Sequence, residues 1–297
     1  MGPVDQMRYL ANRHWFQKDI LRSHPIELLP LGSRPEVRLL TCHSHVWLSL
    51  YSLYSFYLTS GLRNPLVVHD DGSLDDDDRN LYLRLFPGTT ILSRPDADRL
   101  VAPRLAEYPA LAKWRTQLIL ALKILDLPLL SSSPFFILFD SDLFFFQKPS
   151  AFLDLLAECG NGAAFNVFGH SPLNAYSLAR WQVRSAIDVD VPDRLNSGFG
   201  IVHPSSIELP LLNQLVLQDD LLGYPFWLEQ TAFAALSARF GLRMLPEKAY
   251  RADLDAGIDG AVMKHYVGSV RHLFYVEAIP AFRRLLRTPP PPTVKSP

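Results

Sequence analysis

A chain of 297 residues that is 48% hydrophobic and carries a formal net charge of −1 can bury a full core, and it has no broad basic field. That balance excludes a nucleic-acid binder, because nothing in it would displace counterions from phosphate. Two cysteines, Cys42 and Cys159, are too few for a disulfide framework or a cysteine zinc site, which fits a reducing compartment.

Residues 1–35 read as a helical extension. Asp5, Arg8, Arg13, His14, Lys18 and Asp19 break any apolar run there, so the segment predicts an amphipathic helix and not a signal peptide. Val37 to Cys42 predicts a first strand and Val46 to Thr59 a helix. Leu66 to His69 predicts a second strand, closed by the turn Asp70-Asp71-Gly72. Ser73 with Asp76 three residues on has capping-box spacing for a helix to about Phe86, with Asp75 to Asp78 as its acidic first turn. Thr89 to Leu92 predicts a third strand. A helical pattern from Leu111 to Leu125 then leads through Pro128 into a strand ending near Phe139. The longest apolar stretch, Leu118 to Phe139, contains Lys123, Asp126, Pro128 and Pro134, so no transmembrane helix is expected. Alternating strands and helices predict an α/β protein with a largely parallel sheet flanked by helices, where ligands collect at the carboxyl ends of strands.

The run Pro134 to Phe146 is apolar except for Asp140-Ser141-Asp142. Alternate side chains of a strand share a face, so the two carboxylates point together and repel unless a cation lies between them. A divalent metal is the usual answer. The simpler alternative is a strand-end turn in which Asp and Ser cap the backbone, but the flanking hydrophobic surface argues against an ordinary exposed loop. Farther along, Asn196-Ser197-Gly198 sets a small polar turn against a strand, and Glu229-Gln230 sits at the start of a helix. Met263 to Arg271 offers His265 and two cations, Lys264 and Arg271, around Gly268.

The order Asp-Ser-Asp, Asn-Ser-Gly, Glu-Gln and His-x-x-Gly-x-x-Arg resembles nucleotide-sugar-dependent glycosyltransferases of the GT-A fold, family 8 above all, from Asp140 to Arg271. The resemblance implies a GT-A-like, Rossmann-type domain over residues 36–287, with a donor-binding half to about 145, an acceptor half after it, and a smaller antiparallel C-terminal part. It implies that Asp140, Asp142 and His265 hold Mn²⁺ or Mg²⁺ at the diphosphate of a nucleoside-diphosphate sugar, a UDP-hexose first. Arg271, where the family has Lys, would contact the diphosphate beside Gly268. Glu229 replaces the family Asp by one methylene. Gln230, Glu229 and Asn196 would line the sugar pocket, with Gly198 allowing close approach. Thr41, Cys42 and His43, at the end of the first strand, fall where the base pocket is expected. The implied reaction transfers a hexose to a saccharide or other acceptor with retention of anomeric configuration.

Several residues carry weaker expectations. Arg115 and Lys123, eight residues apart in one helical pattern, share a face that either reaches the donor or meets solvent. His43 and His45 lack an acidic companion nearby in sequence, so packing or surface roles are expected. Ser171 to Asp193 is a candidate acceptor region, with Tyr176, Trp181 and Arg184 as saccharide contacts or as parts of a packed lid. Arg283, Arg284 and Arg287 suit an anionic membrane surface, a partner or, most simply, a solvated helix face. The expected location is cytoplasmic, with peripheral contact to the inner face of a membrane as the variant. The tail, residues 288–297, reads as disordered polyproline. Two competing readings are a haloacid-dehalogenase-type phosphatase, with Asp140 as nucleophile and Asp219-Asp220 as its later acidic pair, and a sugar-nucleotide-binding protein without turnover.

Overall fold

The computed structural model describes residues 3–218 and 227–287. The Pro-rich tail and Asp219-Asp220 therefore lie outside the described residues. The chain runs α1 (Pro3–Leu21), β1 (Val37–Thr41), α2 (Val46–Ser60), β2 (Leu66–Asp70), α3 (Asp76–Leu85), β3 (Thr90–Leu92) and α4 (Arg94–Val101). It continues through α5 (Pro109–Gln117), α6 (Ala121–Leu129), β4 (Phe136–Phe139), β5 (Leu143–Phe145), α7 (Ser150–Gly160), β6 (Asn166–His170) and α8 (Arg180–Ile187). The last elements are β7 (Leu195–Val202), α9 (Leu209–Val216), α10 (Leu228–Phe240), β8 (Leu242–Met244), β9 (Tyr250–Arg251), β10 (Met263–His265) and α11 (Ile279–Leu285).

Seven strands form the central sheet in the order β3-β2-β1-β4-β7-β6-β8. Strands β3, β2, β1 and β4 pair in parallel, and β7 runs antiparallel between β4 and β6. The residues Leu66-Val67-Val68 and Phe136-Ile137-Leu138-Phe139 are buried throughout, as expected for strands covered on both faces. Two apolar layers cover the sheet, one containing α2 and the other α6 and α10. The smaller sheet, β5-β10-β9, has one antiparallel and one parallel pairing. This is the expected α/β architecture, and no helix is long and apolar enough to cross a membrane among the described residues.

Sequence alone misplaces three features. The single helix expected from Leu111 to Leu125 is two helices, because Leu118 adopts an extended backbone (φ −128°, ψ 117°) between them. Helix α6 runs past the expected end at Leu125 and takes Pro128 into its last turn. The capping box of α3 is Asp75 with Asp78, not Ser73 with Asp76. Near the C-terminus, Arg283 is no simple solvated side chain: its Nε donates to Asp19 Oδ2 at 2.7 Å and its Nη1 to Asn12 Oδ1 at 2.8 Å. These bonds tie α11 to α1.

Helix α2 sets the position of the segment between β4 and β5. Its apolar residues are so continuous that its serines are buried too, and each must find a partner. Ser52 Oγ lies 2.7 Å from the Ser141 carbonyl, and Ser55 Oγ accepts from Phe145 N at 3.1 Å. Phe56 on the same helix meets Phe139, Phe145 and Phe199 at centroid distances of 5.3, 5.1 and 5.9 Å. The turn carrying the two aspartates is thus pinned from below by hydroxyls and flanked by packed rings.

Candidate active site

Asp140-Ser141-Asp142 is where the chain passes from the large sheet to the small one. The Asp140 amide donates to Gly198 O at 2.8 Å, extending the β4–β7 ladder, while the Asp142 carbonyl accepts from Tyr266 N at 2.8 Å, extending β5–β10. In that second ladder His265 is in register with Leu143, which places it beside Asp142. The two ladders therefore bring Asp140, Asp142, Gly198 and His265 together although they are far apart in sequence. His265 Nε2 is 3.0 Å from Asp142 Oδ1 and 3.7 Å from Asp140 Oδ2. Asp142 and His265 are buried, and Asp140 is partly exposed.

One donor atom from each of these three residues falls within 4.8 Å of the other two. Cis ligands of an octahedral ion with bonds of about 2.1 Å stand about 3 Å apart, so the 3.0 Å contact suits a shared cation. Two carboxylates and an imidazole are a donor set that Mn²⁺ accepts readily. The residues therefore fit the metal implied by the resemblance.

Cations frame the carboxylates. Arg271 Nη2 and Nε donate to Asp142 Oδ2 at 2.8 and 3.2 Å. Burial would raise the Asp142 carboxyl, but His265 and Arg271 more than offset it and hold the group well below the usual carboxylate range. On the other flank, buried Lys123 of α6 sits 2.7 Å from Asp140 Oδ1 and 3.3 Å from Glu229 Oε1, the latter without hydrogen-bond alignment. Glu229 Oε2 accepts from Ser197 Oγ at 3.1 Å. Burial and the neighbouring Asp140 raise the Glu229 carboxyl above its ordinary value despite Lys123. For Lys123, burial pulls downward, yet Asp140 and Glu229 together hold its ammonium above the ordinary value.

The β7 residues shape the space around the imidazole. Asn196 Oδ1 is 3.0 Å from His265 Nδ1 and accepts from Gly198 N at 3.1 Å. A Cβ on Gly198 would stand 2.2 Å from His265 Cε1 and 2.4 Å from Nδ1, so glycine here makes room for the ring. The Gly198→Ala protein is expected to fold with His265 displaced and to bind Mn²⁺ at least about tenfold more weakly. Displacement of Mn²⁺ in an electron paramagnetic resonance titration measures this, and an unchanged affinity would contradict the role given to the glycine.

Gln230 lies at the same helix start as Glu229, where its Nε2 donates to Ala175 O at 2.9 Å and its Oε1 is 3.5 Å from Ser197 N. It thus ties the segment after β6 to the start of β7, where Asn196-Ser197-Gly198, expected as a turn, is strand. Gly268 opens a short 3-10 turn that precedes Arg271, with no heavy atom within 4 Å of where a Cβ would stand. Thr41 ends β1 and meets Ser141 Oγ at 3.2 Å.

Arg115 and His43 depart from expectation. Arg115 does not reach this cluster: it lies on α5, where it clamps Asp126 at 2.7 and 2.6 Å and Asp98 at 2.6 Å. His43 has an acidic companion after all, since its Nδ1 is 2.6 Å from Asp78 Oδ2, with Asp75 at 3.7 Å. Those carboxylates also cap α3, which accounts for their position without a metal. His45 N donates to the Cys42 carbonyl at 2.9 Å, and the neighbouring Cys42 thiol raises its imidazole above the ordinary value. Tyr176 is buried, donating to Pro192 O and accepting from Leu195 N, so it supports the loop. Arg184 pairs with Asp190 at 3.0 Å, and Trp181 is 71% exposed. Sequence reasoning gave no role to Ser197 and did not pair Lys123 with Glu229. The available signal was a lysine in a largely apolar stretch.

No family profile and no curated protein matches the chain. Solved structures do resemble it. Mouse xyloside xylosyltransferase 1 in its apo form aligns at a TM-score of 0.50 and 14% identity, over 87% of this chain and 94% of that one. The mannosyltransferase Ktr4p from S. cerevisiae aligns at 0.51 and 11% identity, over 81% and 78%. The bifunctional glycosyltransferase WbbM aligns at 0.53 and 12% identity, over 88% of this chain and 53% of that one. The fold is therefore the GT-A fold of glycosyltransferases.

Proposed function

We propose that the protein is a metal-dependent glycosyltransferase that moves a hexose from a nucleoside-diphosphate sugar, a UDP-hexose first, to a hydroxyl of a saccharide or other acceptor, with retention at the anomeric carbon. The observation that carries this reading is the convergence of Asp140, Asp142 and His265 at the junction of two sheets, with Arg271 alongside. Asp140, Asp142 and His265 would hold the ion, which when bound neutralises charge on the diphosphate. Counting Asp140, Asp142 and Glu229 against Lys123 and Arg271 leaves one net negative charge before the ion, so the site suits a divalent cation better than a bare anion.

Arg271 then has a plain chemical task. Its guanidinium, 34% exposed and forked onto one oxygen of Asp142, can turn part of its donor set to the leaving phosphate as negative charge develops there. Lys123 holds the Asp140 carboxylate in place, and Glu229 and Gln230 set the α10 end of the pocket against β7. No side chain is assigned as a base or covalent nucleophile.

The phosphatase reading is disfavoured by the fold and by the local geometry, since β1, β2 and β3 all precede the aspartate strand in the sheet and Asp140 Oδ1 is occupied by Lys123. The test is release of nucleoside diphosphate from UDP-, GDP- and CDP-sugars with Mn²⁺, Mg²⁺ or chelator. Turnover that needs the ion is the expected result. Phosphomonoester hydrolysis with no sugar-nucleotide turnover would overturn the proposal, and Mn²⁺-dependent donor binding without turnover would favour a binding protein.

A further inference from the structure

The Asn196 amide makes two hydrogen-bond contacts through one atom, and one of them has a fixed direction. The Gly198 backbone N–H can only donate, so the side-chain atom it meets at 3.1 Å is the amide oxygen and not the nitrogen. That same oxygen lies 3.0 Å from His265 Nδ1. An oxygen acceptor there requires a proton on Nδ1. In the neutral ring the lone pair then resides on Nε2, the nitrogen that faces Asp142 Oδ1 at 3.0 Å and Asp140 Oδ2 at 3.7 Å.

From this we infer that Asn196 is a positioning residue for the metal centre, selecting the His265 tautomer and the ring orientation that present Nε2 to the cation. The inference rests on the metal-dependent reading above and goes beyond it, because the resemblance places Asn196 in the sugar pocket and gives it no task at the metal. The geometry is built into β7: Asn196 and Gly198 are two residues apart on a strand, share a face, and meet the ring with an amide oxygen at one position and an absent side chain at the other. Both polar groups are buried, with Asn196 9% and His265 6% exposed, so water does not readily replace the missing bond.

Two substitutions separate positioning from mere support. Asn196→Leu removes the acceptor, whereas Asn196→Asp retains an oxygen for both Gly198 N–H and Nδ1–H. Mn²⁺ affinity, read as displacement of the free-ion resonance in the absence of donor and acceptor, is expected to fall about 10–100-fold in the Leu variant and to stay within several-fold of wild type in the Asp variant. Two-bond ¹H–¹⁵N correlations of histidine-labelled protein with Mg²⁺ should place the His265 proton on Nδ1, the signal being assigned by its loss in His265→Ala. Wild-type affinity in the Leu variant, or equal weakening in both variants, would overturn the inference while leaving the metal reading intact. Failure of the wild-type protein to bind Mn²⁺ would remove both.

Discussion

The Asp142→Asn protein is expected to remain folded and to lose at least about 10³-fold in metal-dependent donor turnover. The change is isosteric and affects one site with two simultaneous duties. Asp142 Oδ1 faces His265 Nε2 at 3.0 Å, and Oδ2 receives both Arg271 donors. An amide in its place cannot offer two anionic oxygens, so the cation site loses a carboxylate and the guanidinium loses its counter-charge together. Donor turnover with Mn²⁺, measured beside a thermal melt, checks the prediction. A folded Asn variant with near-wild-type activity would mean that the reacting phosphate is bound elsewhere.

Lys123→Met carries the largest expected effect on stability. The ammonium is buried between Asp140 and Glu229, and removing it leaves Glu229 buried with only Ser197 as a hydrogen-bond partner. Breaking a buried ion pair from one side costs about 3–5 kcal/mol, or roughly 10 °C in Tm for a domain of this size. Adding Glu229→Gln to Lys123→Met should recover part of the loss, because the stranded charge goes with it. The dependence on pH follows from the raised folded-state value of Lys123. A cation favoured by folding contributes fully below its ordinary value of 10.5, and the contribution disappears as pH rises through the raised value. Wild-type protein should therefore lose stability at strongly alkaline pH through a transition that Lys123→Met lacks. A Met variant as stable as wild type at neutral pH would show that the lysine is not the partner holding these carboxylates.

Much of this site was legible in the sequence for a physical reason: polar residues set in an apolar run have to be there for something. Asp140 and Asp142 stand out between Phe139 and Leu143, and the strand–helix alternation before them fixes the carboxyl end of a sheet as their location. What stayed hidden depended on choices that spacing cannot make. Ser73-x-x-Asp76 and Asp75-x-x-Asp78 fit the same capping pattern, and only the fold shows Ser73 Oγ accepting from His43 N while Asp75 caps α3. The break at Leu118 has no glycine or proline to announce it, and it separates Arg115 from Lys123 so that one joins Asp98 and Asp126 and the other joins the active site. The two contacts of Asn196 were equally invisible, because they depend on β10 lying across β7 through the turn at Asp140.

The most direct test of the account is anomalous X-ray diffraction near the manganese absorption edge from crystals grown with Mn²⁺ and a nucleoside diphosphate. One strong anomalous peak is expected, bounded by Asp140, Asp142 and His265 Nε2, with Arg271 turned to the phosphate. A bound diphosphate with no anomalous peak among those three side chains, or with the ion held by another set of residues, would contradict it.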